Sequence, residues 1–296
     1  MIPVVIGTGL GEKNAITFRT INFNNKNDDE KSTYIIEEVI ESDVWQQAYE
    51  PYPNRDGSQS YEPFMLYKLF RVRGWVRGAT LAELFDKIET INKTFNPIVC
   101  YNADSASSYN RGYLPITFDV PTADTTNYAT GKIASQYYVQ ALGPPVAVES
   151  KFDNLSARID FILRAVDPRR YLQTTSSGNR TGNGTIVVDN SLASIRSWPV
   201  ITIALPSGAP SGTATIATSE NSKVVSIDLS QLAASTTYTL DMQAATFVKT
   251  SDGTNKIAAI NGTSQYFDLL AKSQTLTFAG FAASTSLTVT WRRAFL

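Results

Sequence analysis

Few residues in this chain are placed to do covalent chemistry. Its 296 residues include no histidine and one cysteine, Cys100. That removes Ser-His-Asp and Cys-His nucleophiles, histidine-ligated zinc and every disulfide framework. Cys100 follows the apolar pair Ile98 and Val99 and reads as a small core residue. Carboxylates, arginines and one glycine-rich turn remain.

A pair of carboxylates can cleave a glycosidic bond without histidine. Asp28, Asp29 and Glu30 form one acidic cluster, and Glu37, Glu38 and Glu41 form another. On a strand, Glu37 and Glu38 point to opposite faces and cannot share a substrate. The run from Asn24 to Lys31 reads as a solvated loop or hairpin tip. Gly7, Gly9 and Gly11 follow Val4, Val5 and Ile6, but the third glycine of a dinucleotide fingerprint should fall at position 12, which is Glu12. The segment beyond it reads as a strand, not as a helix whose N-terminus could hold a pyrophosphate.

The third constellation is Arg71, Arg73, Trp75 and Arg77, which alternates with Phe70, Val72 and Val76 as a half-buried strand requires. Two readings stay open for this stripe, with nucleic-acid binding a distant third. It is either a solvated face with arginine stems packed on the indole, or a subunit interface, where Arg and Trp are enriched as anchors. Tyr238, Tyr266 and Trp291 would stack on sugars if exposed, although Trp291 is in step with Leu287 and Val289 and reads as core.

The elements that position the stripe are the plainest in the chain. A turn at Pro53 to Gly57 precedes it, with Pro presetting φ and Asp56-Gly57 tolerating a tight reversal. A helix over 80–96 follows it. Thr80 and Glu83 form a capping box, and Leu81, Leu84, Phe85, Ile88, Ile91 and Phe95 fall on one face, so Leu84 and Phe85 are expected to be buried. Glu83 to Lys87 and Glu89 to Lys93 are i,i+4 pairs, and Asn96-Pro97 stops the helix.

Elsewhere Ile16 to Phe23 reads as a strand, Tyr34 to Ser42 fits helix or strand, and Leu114 to Asp119 and Arg158 to Ala165 read as strands. Residues 102–112 and 121–135 read as long exposed loops. Beyond Tyr171 no helix is evident, and short β runs such as Thr185 to Val188, Val200 to Ile203, Val224 to Ile227, Tyr238 to Met242 and Leu287 to Trp291 alternate with turn dipeptides, the pattern of a sandwich. Two domains are expected, 1–172 and 173–296, in a mainly β chain.

The formal charge is -1 and charged residues make up 18% of the chain, which points away from tight nucleic-acid or anionic-membrane binding. No window approaches the roughly 18 apolar residues of a membrane span, and the start lacks a basic region, so a soluble protein made in a cytoplasm is expected. The sequons at Asn92, Asn154, Asn179, Asn183 and Asn261 then read as chance products of a Ser- and Thr-rich chain.

The order Pro53-x-Arg55-Asp56-Gly57, then Gly74-x-Val76-x-Gly78-x-Thr80, then an amphipathic helix resembles the distal tail (Dit) proteins of siphophages. Asp167-Pro168 with Tyr171, the region 182–190, the Pro199 to Ile203 strand and the ending Thr288 to Leu296 extend the likeness. The resemblance implies an N-terminal β-sandwich-like domain with one helix and a C-terminal galectin-like β-sandwich facing outward, with Tyr34 to Ser42 as a strand. It also implies a structural role in the virion: a ring, usually of six copies, at the tail tip around a channel through which genomic DNA passes. The ring would join the tail tube to tip and receptor-binding proteins, with the tape measure protein a further partner. It implies no catalytic site, metal or cofactor and no membrane. The alternative is a carbohydrate-binding module for host-surface glycans. Under the ring reading, Arg71, Arg73, Trp75 and Arg77 are the candidate subunit interface.

Overall fold

A computed structural model describes residues 16–18, 21–23, 34–46, 49–51, 58–60, 64–103, 113–143, 146–151, 155–220 and 222–295. The Gly7 to Gly11 turn, the acidic cluster Asp28 to Glu30 and the Pro53 to Gly57 turn lie outside them. The chain divides into two compact units, Met1–Arg170 and Tyr171–Leu296. Strands dominate both, and the fold is mainly β and sandwich-like.

The first unit contains β1 (Ile16–Phe18), β2 (Ile21–Phe23), β3 (Tyr34–Gln46), β4 (Tyr49–Pro51), β5 (Ser58–Ser60), β6 (Phe64–Arg77), α1 (Leu81–Thr94), α2 (Pro97–Ala103), β7 (Leu114–Pro121), β8 (Lys132–Ala141), β9 (Val146–Lys151) and β10 (Ser156–Ala165). The main sheet runs β2-β1-β7-β8-β10-β6-β3, with β9 also on β10, and β4 pairs with β5 alone. The sheet curls until β2 approaches β3, where Phe23 meets Tyr34 edge-on at 6.0 Å. Its inner face and α1 share one core that includes Phe18, Phe23, Val72, Val76, Leu84, Phe95 and Phe161.

Several of these elements differ instructively from the sequence reading. The strand read over Ile16 to Phe23 is a hairpin in which Ile16 lies opposite Phe23. A continuous strand would turn Ile16 and Phe18 to one face and Ile21 and Phe23 to the other, whereas the reversal sends all four into one core. Tyr34 to Ser42 is a strand, part of the 13-residue β3. The expected loop 121–135 is shorter, because β7 runs to Pro121 and β8 starts at Lys132. Buried Ser135 and Gln136 interrupt the apolar alternation that would have announced β8.

Helix α1 begins as its capping box requires: the Glu83 N–H donates to Thr80 Oγ1 at 3.2 Å and the Ala79 N–H to Glu83 Oε2 at 2.7 Å. Leu84, Ile91 and Phe95 are fully buried, but Phe85 is 51% exposed and Leu81 46%. The expected burial of Phe85 is therefore wrong. The stripe that fits the core is narrower than the apolar stripe of the sequence, and Leu81 and Phe85 fall one step around the helix from Leu84, on the outer side. Asn96-Pro97 does end α1, and it also starts α2: Asn96 Oδ1 accepts from the N–H groups of Ile98 and Val99, and Pro97 takes the first helical position, where its missing donor is harmless.

The second unit holds β12 (Ser176–Thr181), β13 (Gly184–Asp189), β14 (Val200–Ala204), β15 (Thr213–Thr218), β16 (Val224–Asp228), β17 (Thr237–Asp241), β18 (Thr246–Lys249), β19 (Ser273–Ala279), β20 (Ser286–Trp291) and β21 (Ala294–Phe295), and β21 pairs with β11 (Arg170–Leu172) at the junction. Sheets β12-β20-β14-β17-β18 and β13-β19-β15-β16 each alternate buried and half-exposed positions. Ile201, Leu240 and Val289 of one and Val188, Ile216 and Leu276 of the other share a core, which makes a two-sheet sandwich.

Candidate assembly interface

Strand β6 fixes where its arginines point. Phe70, Val72, Gly74 and Val76 are buried toward the core, so Arg71, Arg73, Trp75 and Arg77 all stand on the outer face. Antiparallel neighbours extend that face sideways. Arg71 lies between Ile40 of β3 and Ile162 of β10, Arg73 between Glu38 and Asp160, and Trp75 between Ile35 and Arg158.

The arginines are tied to acids on the flanking strands. Arg71 forms a two-pronged pair with Asp160, Nε to Oδ1 at 3.0 Å and Nη2 to Oδ2 at 2.6 Å. Arg73 reaches Glu38 Oε2 at 3.0 Å and Asp160 Oδ2 at 3.4 Å. Hydrogen bonding from Arg71 holds the Asp160 carboxyl below the usual aspartate range, with the charges of Arg71 and Arg73 adding to it. The Trp75 indole N–H donates to Glu37. Glu37 and Glu38 therefore both serve the outer face, contrary to the alternation expected of a strand, because the pairing of β3 with β6 slips between Ile36 and Glu38.

Two glycines make this geometry possible. A Cβ on Gly74 would land on the Ile35 carbonyl oxygen, where the slipped β3 presses against β6. A Cβ on Gly78 would collide with the Leu84 backbone, where the chain turns from β6 into α1. Both belong to the Gly74-x-Val76-x-Gly78 motif, and close backbone approach is its physical content.

The outer face also carries apolar side chains. Ile162, Leu142 and Val166 are exposed on it or at its margin, and the Leu142 N–H donates to the Ile162 carbonyl at 2.9 Å. Among the described residues, ten of the thirteen exposed large hydrophobic side chains belong to the first unit, Trp45, Phe85 and Tyr101 among them. The three in the second unit are Val187, Val224 and Ile257. The sequence shows the arginines as a stripe and Glu38 only as one of a cluster of carboxylates, and it gives no sign that Asp160, Glu38 and Ile162 flank the stripe. Asp160 was legible in principle, since Arg158, Asp160, Ile162 and Arg164 occupy the outward phase of β10, but only the register places it opposite Arg73.

Other titratable or reactive groups have structural surroundings. Lys68 is buried and its Nζ lies 3.2 Å from Glu41 Oε2, 3.4 Å from Asp43 Oδ1 and 5.4 Å from the centre of the Tyr137 ring. Burial alone would lower the ammonium pKa, but Tyr137, Glu41 and Asp43 outweigh it and move it upward, away from the range of a general base at neutral pH. Burial likewise raises the Tyr137 phenol. Cys100 is buried, with Sγ 3.2 Å from the Thr94 carbonyl. Among the described residues no group of three or more acidic, Cys or His side chains is placed to hold a metal. A void of about 20 Å³ beside Val39, Phe70, Phe118 and Tyr137 is lined by no polar surface and is about the size of one water. In the second unit Tyr238 and Trp291 are buried and Tyr266 packs on the core, so none of the three offers an open stacking platform.

Two β units, the first carrying a capped helix beside an arginine-bearing strand, define the class of fold. No protein-family model matches the chain, and no curated protein matches it by sequence. Solved structures do match. The chain is similar to the Dit protein (gp 19.1) of phage SPP1, described as a paradigm of hub adsorption apparatus in phages infecting Gram-positive hosts, with a TM-score of 0.61 and 13% identity over 96% of this chain and 100% of that one. It also aligns with a chain of the phage p2 baseplate in its activated conformation, at a TM-score of 0.47 and 9% identity over 94% of this chain and 97% of that one. The Dit fold that the sequence motifs resemble is the fold of this chain.

Proposed function

We propose that this protein is a structural, non-catalytic component of a phage tail tip. Copies of the chain close into a ring, of six subunits by analogy with the resembled family, around a channel that lets DNA pass. The ring joins the tail tube to tip and receptor-binding proteins. The first domain, 1–172, builds the ring, and the second, 173–296, is a galectin-like sandwich that serves attachment. The observation that carries this reading is the concentration of exposed apolar side chains among the described residues of the first unit, some on α1 and α2 and some on or at the margin of the sheet face bearing Arg71, Arg73, Trp75 and Arg77. Surfaces of that composition mark protein contacts. The SPP1 hub protein's fold, matched along nearly the whole chain, agrees with it. Buried Tyr238 and Trp291 give no support to the glycan-binding alternative. Light scattering on the full chain at rising concentration tests the proposal. A discrete mass of several subunits is expected, and monomer alone throughout would count against it.

A further inference from the structure

A closed ring of more than two copies needs two different patches on each subunit, one meeting the other on the next copy. The outer face of β3-β6-β10 is one. The second should lie across the unit from it and complement it in charge.

Helix α1 meets both conditions. Leu84 and Ile91 pack it against the core side of the sheet, so its exposed stripe, Leu81, Phe85 and Asp86, faces away from the sheet's outer face. Among the described residues of the first unit, many charges are consumed internally: Arg71, Arg73 and Lys68 by acids of neighbouring strands, Glu83 by Lys87 at 2.5 Å and Glu89 by Lys93 at 2.6 Å. Among the described residues, Asp86 on the helix and Arg77 and Arg158 on the sheet face carry no ion pair. Arg158 lies directly across the strands from Trp75, and Arg77 is two residues beyond it on the same face. Among the described residues, the Asp86 carboxylate beside Phe85 thus complements Arg77, two residues from Trp75 on the sheet face, where Glu37 is already taken up by the Trp75 indole.

We propose that the α1 stripe of one subunit docks on the outer sheet face of the next copy, with Leu81 and Phe85 against Trp75 and with Asp86 paired to Arg77. This rests on the ring reading and names its contact. Apolar anchors ringed by one charge pair make a contact of defined register, and the head-to-tail geometry leaves both patches of every subunit filled on closure.

A charge-swap experiment on the full chain tests it. Native mass spectrometry would be run on wild type, Asp86→Arg, Arg77→Asp and the double variant, after circular dichroism confirms that each folds. Both sites are exposed, so folding is expected to survive. Each single reversal should weaken assembly at least about tenfold, and the double variant should recover it to within about threefold of wild type. Assembled wild type with unaffected single variants, or with a double variant that fails to recover, overturns this contact and leaves the ring reading standing. Wild type that stays monomeric overturns the ring reading and this contact with it.

Discussion

The division of α1 into a core side and a docking side gives the sharpest single comparison, Leu84→Ala against Phe85→Ala. Leu84 is 0% exposed, so the substitution removes about three buried carbons, worth about 0.8 kcal/mol each, and leaves a cavity. The expected loss is about 3 kcal/mol. For a unit of this size that lowers the melting temperature by about 6 to 12 °C. Phe85 is half exposed, and its truncation should cost the isolated subunit less than about 1 kcal/mol, or about 3 °C. Thermal unfolding of the full chain, at concentrations low enough for monomer, separates the two, because assembly would otherwise add its own stabilisation. Assembly at higher concentration should show the reverse ranking in the folded fraction: Phe85→Ala impaired, Leu84→Ala assembling normally. Equal destabilisation by the two substitutions, or a larger loss from Phe85→Ala than from Leu84→Ala, would mean that the helix is rotated from the orientation described.

Three further outcomes are expected. Arg73→Ala should fold with a loss of about 1 kcal/mol or less, since Arg71 still holds Asp160 and the site is partly solvated, yet it should assemble poorly; normal assembly would return the arginine stripe to a solvated face. The Asp160 carboxyl is depressed in the folded state, so its contribution is present above the unfolded aspartate value of about 3.9 and is lost as pH falls through the lower folded value. Stability of wild type should therefore drop more steeply than that of Asp160→Asn below about pH 4, and parallel curves from acid unfolding would contradict it. Gly74→Ala should be severely destabilising, because the new methyl meets the Ile35 backbone rather than a side chain that could move; a melting temperature near wild type would disprove the close approach of β3.

Legibility in the sequence followed from how local each signal was. The capping box, the i,i+4 pairs and the alternation of β6 depend on residues within a few positions of one another, and the structure reproduces them. Whatever needed a partner strand was hidden. The slip in β3 that turns Glu37 and Glu38 to one face, the pairing of Arg71 with Asp160 across 89 residues, and the reversal between β1 and β2 are products of register. Phe85 was misread for a related reason, since apolar residues on both the buried and the docking side widen the stripe beyond what one core can cover. A helix that reads as too hydrophobic for its core is itself a mark of a second contact.

Negative-stain electron microscopy of the purified chain tests the proposed ring most directly. Closed rings of uniform subunit number with an open central channel are expected, whereas fields of monomers and irregular aggregates at every concentration would contradict ring formation.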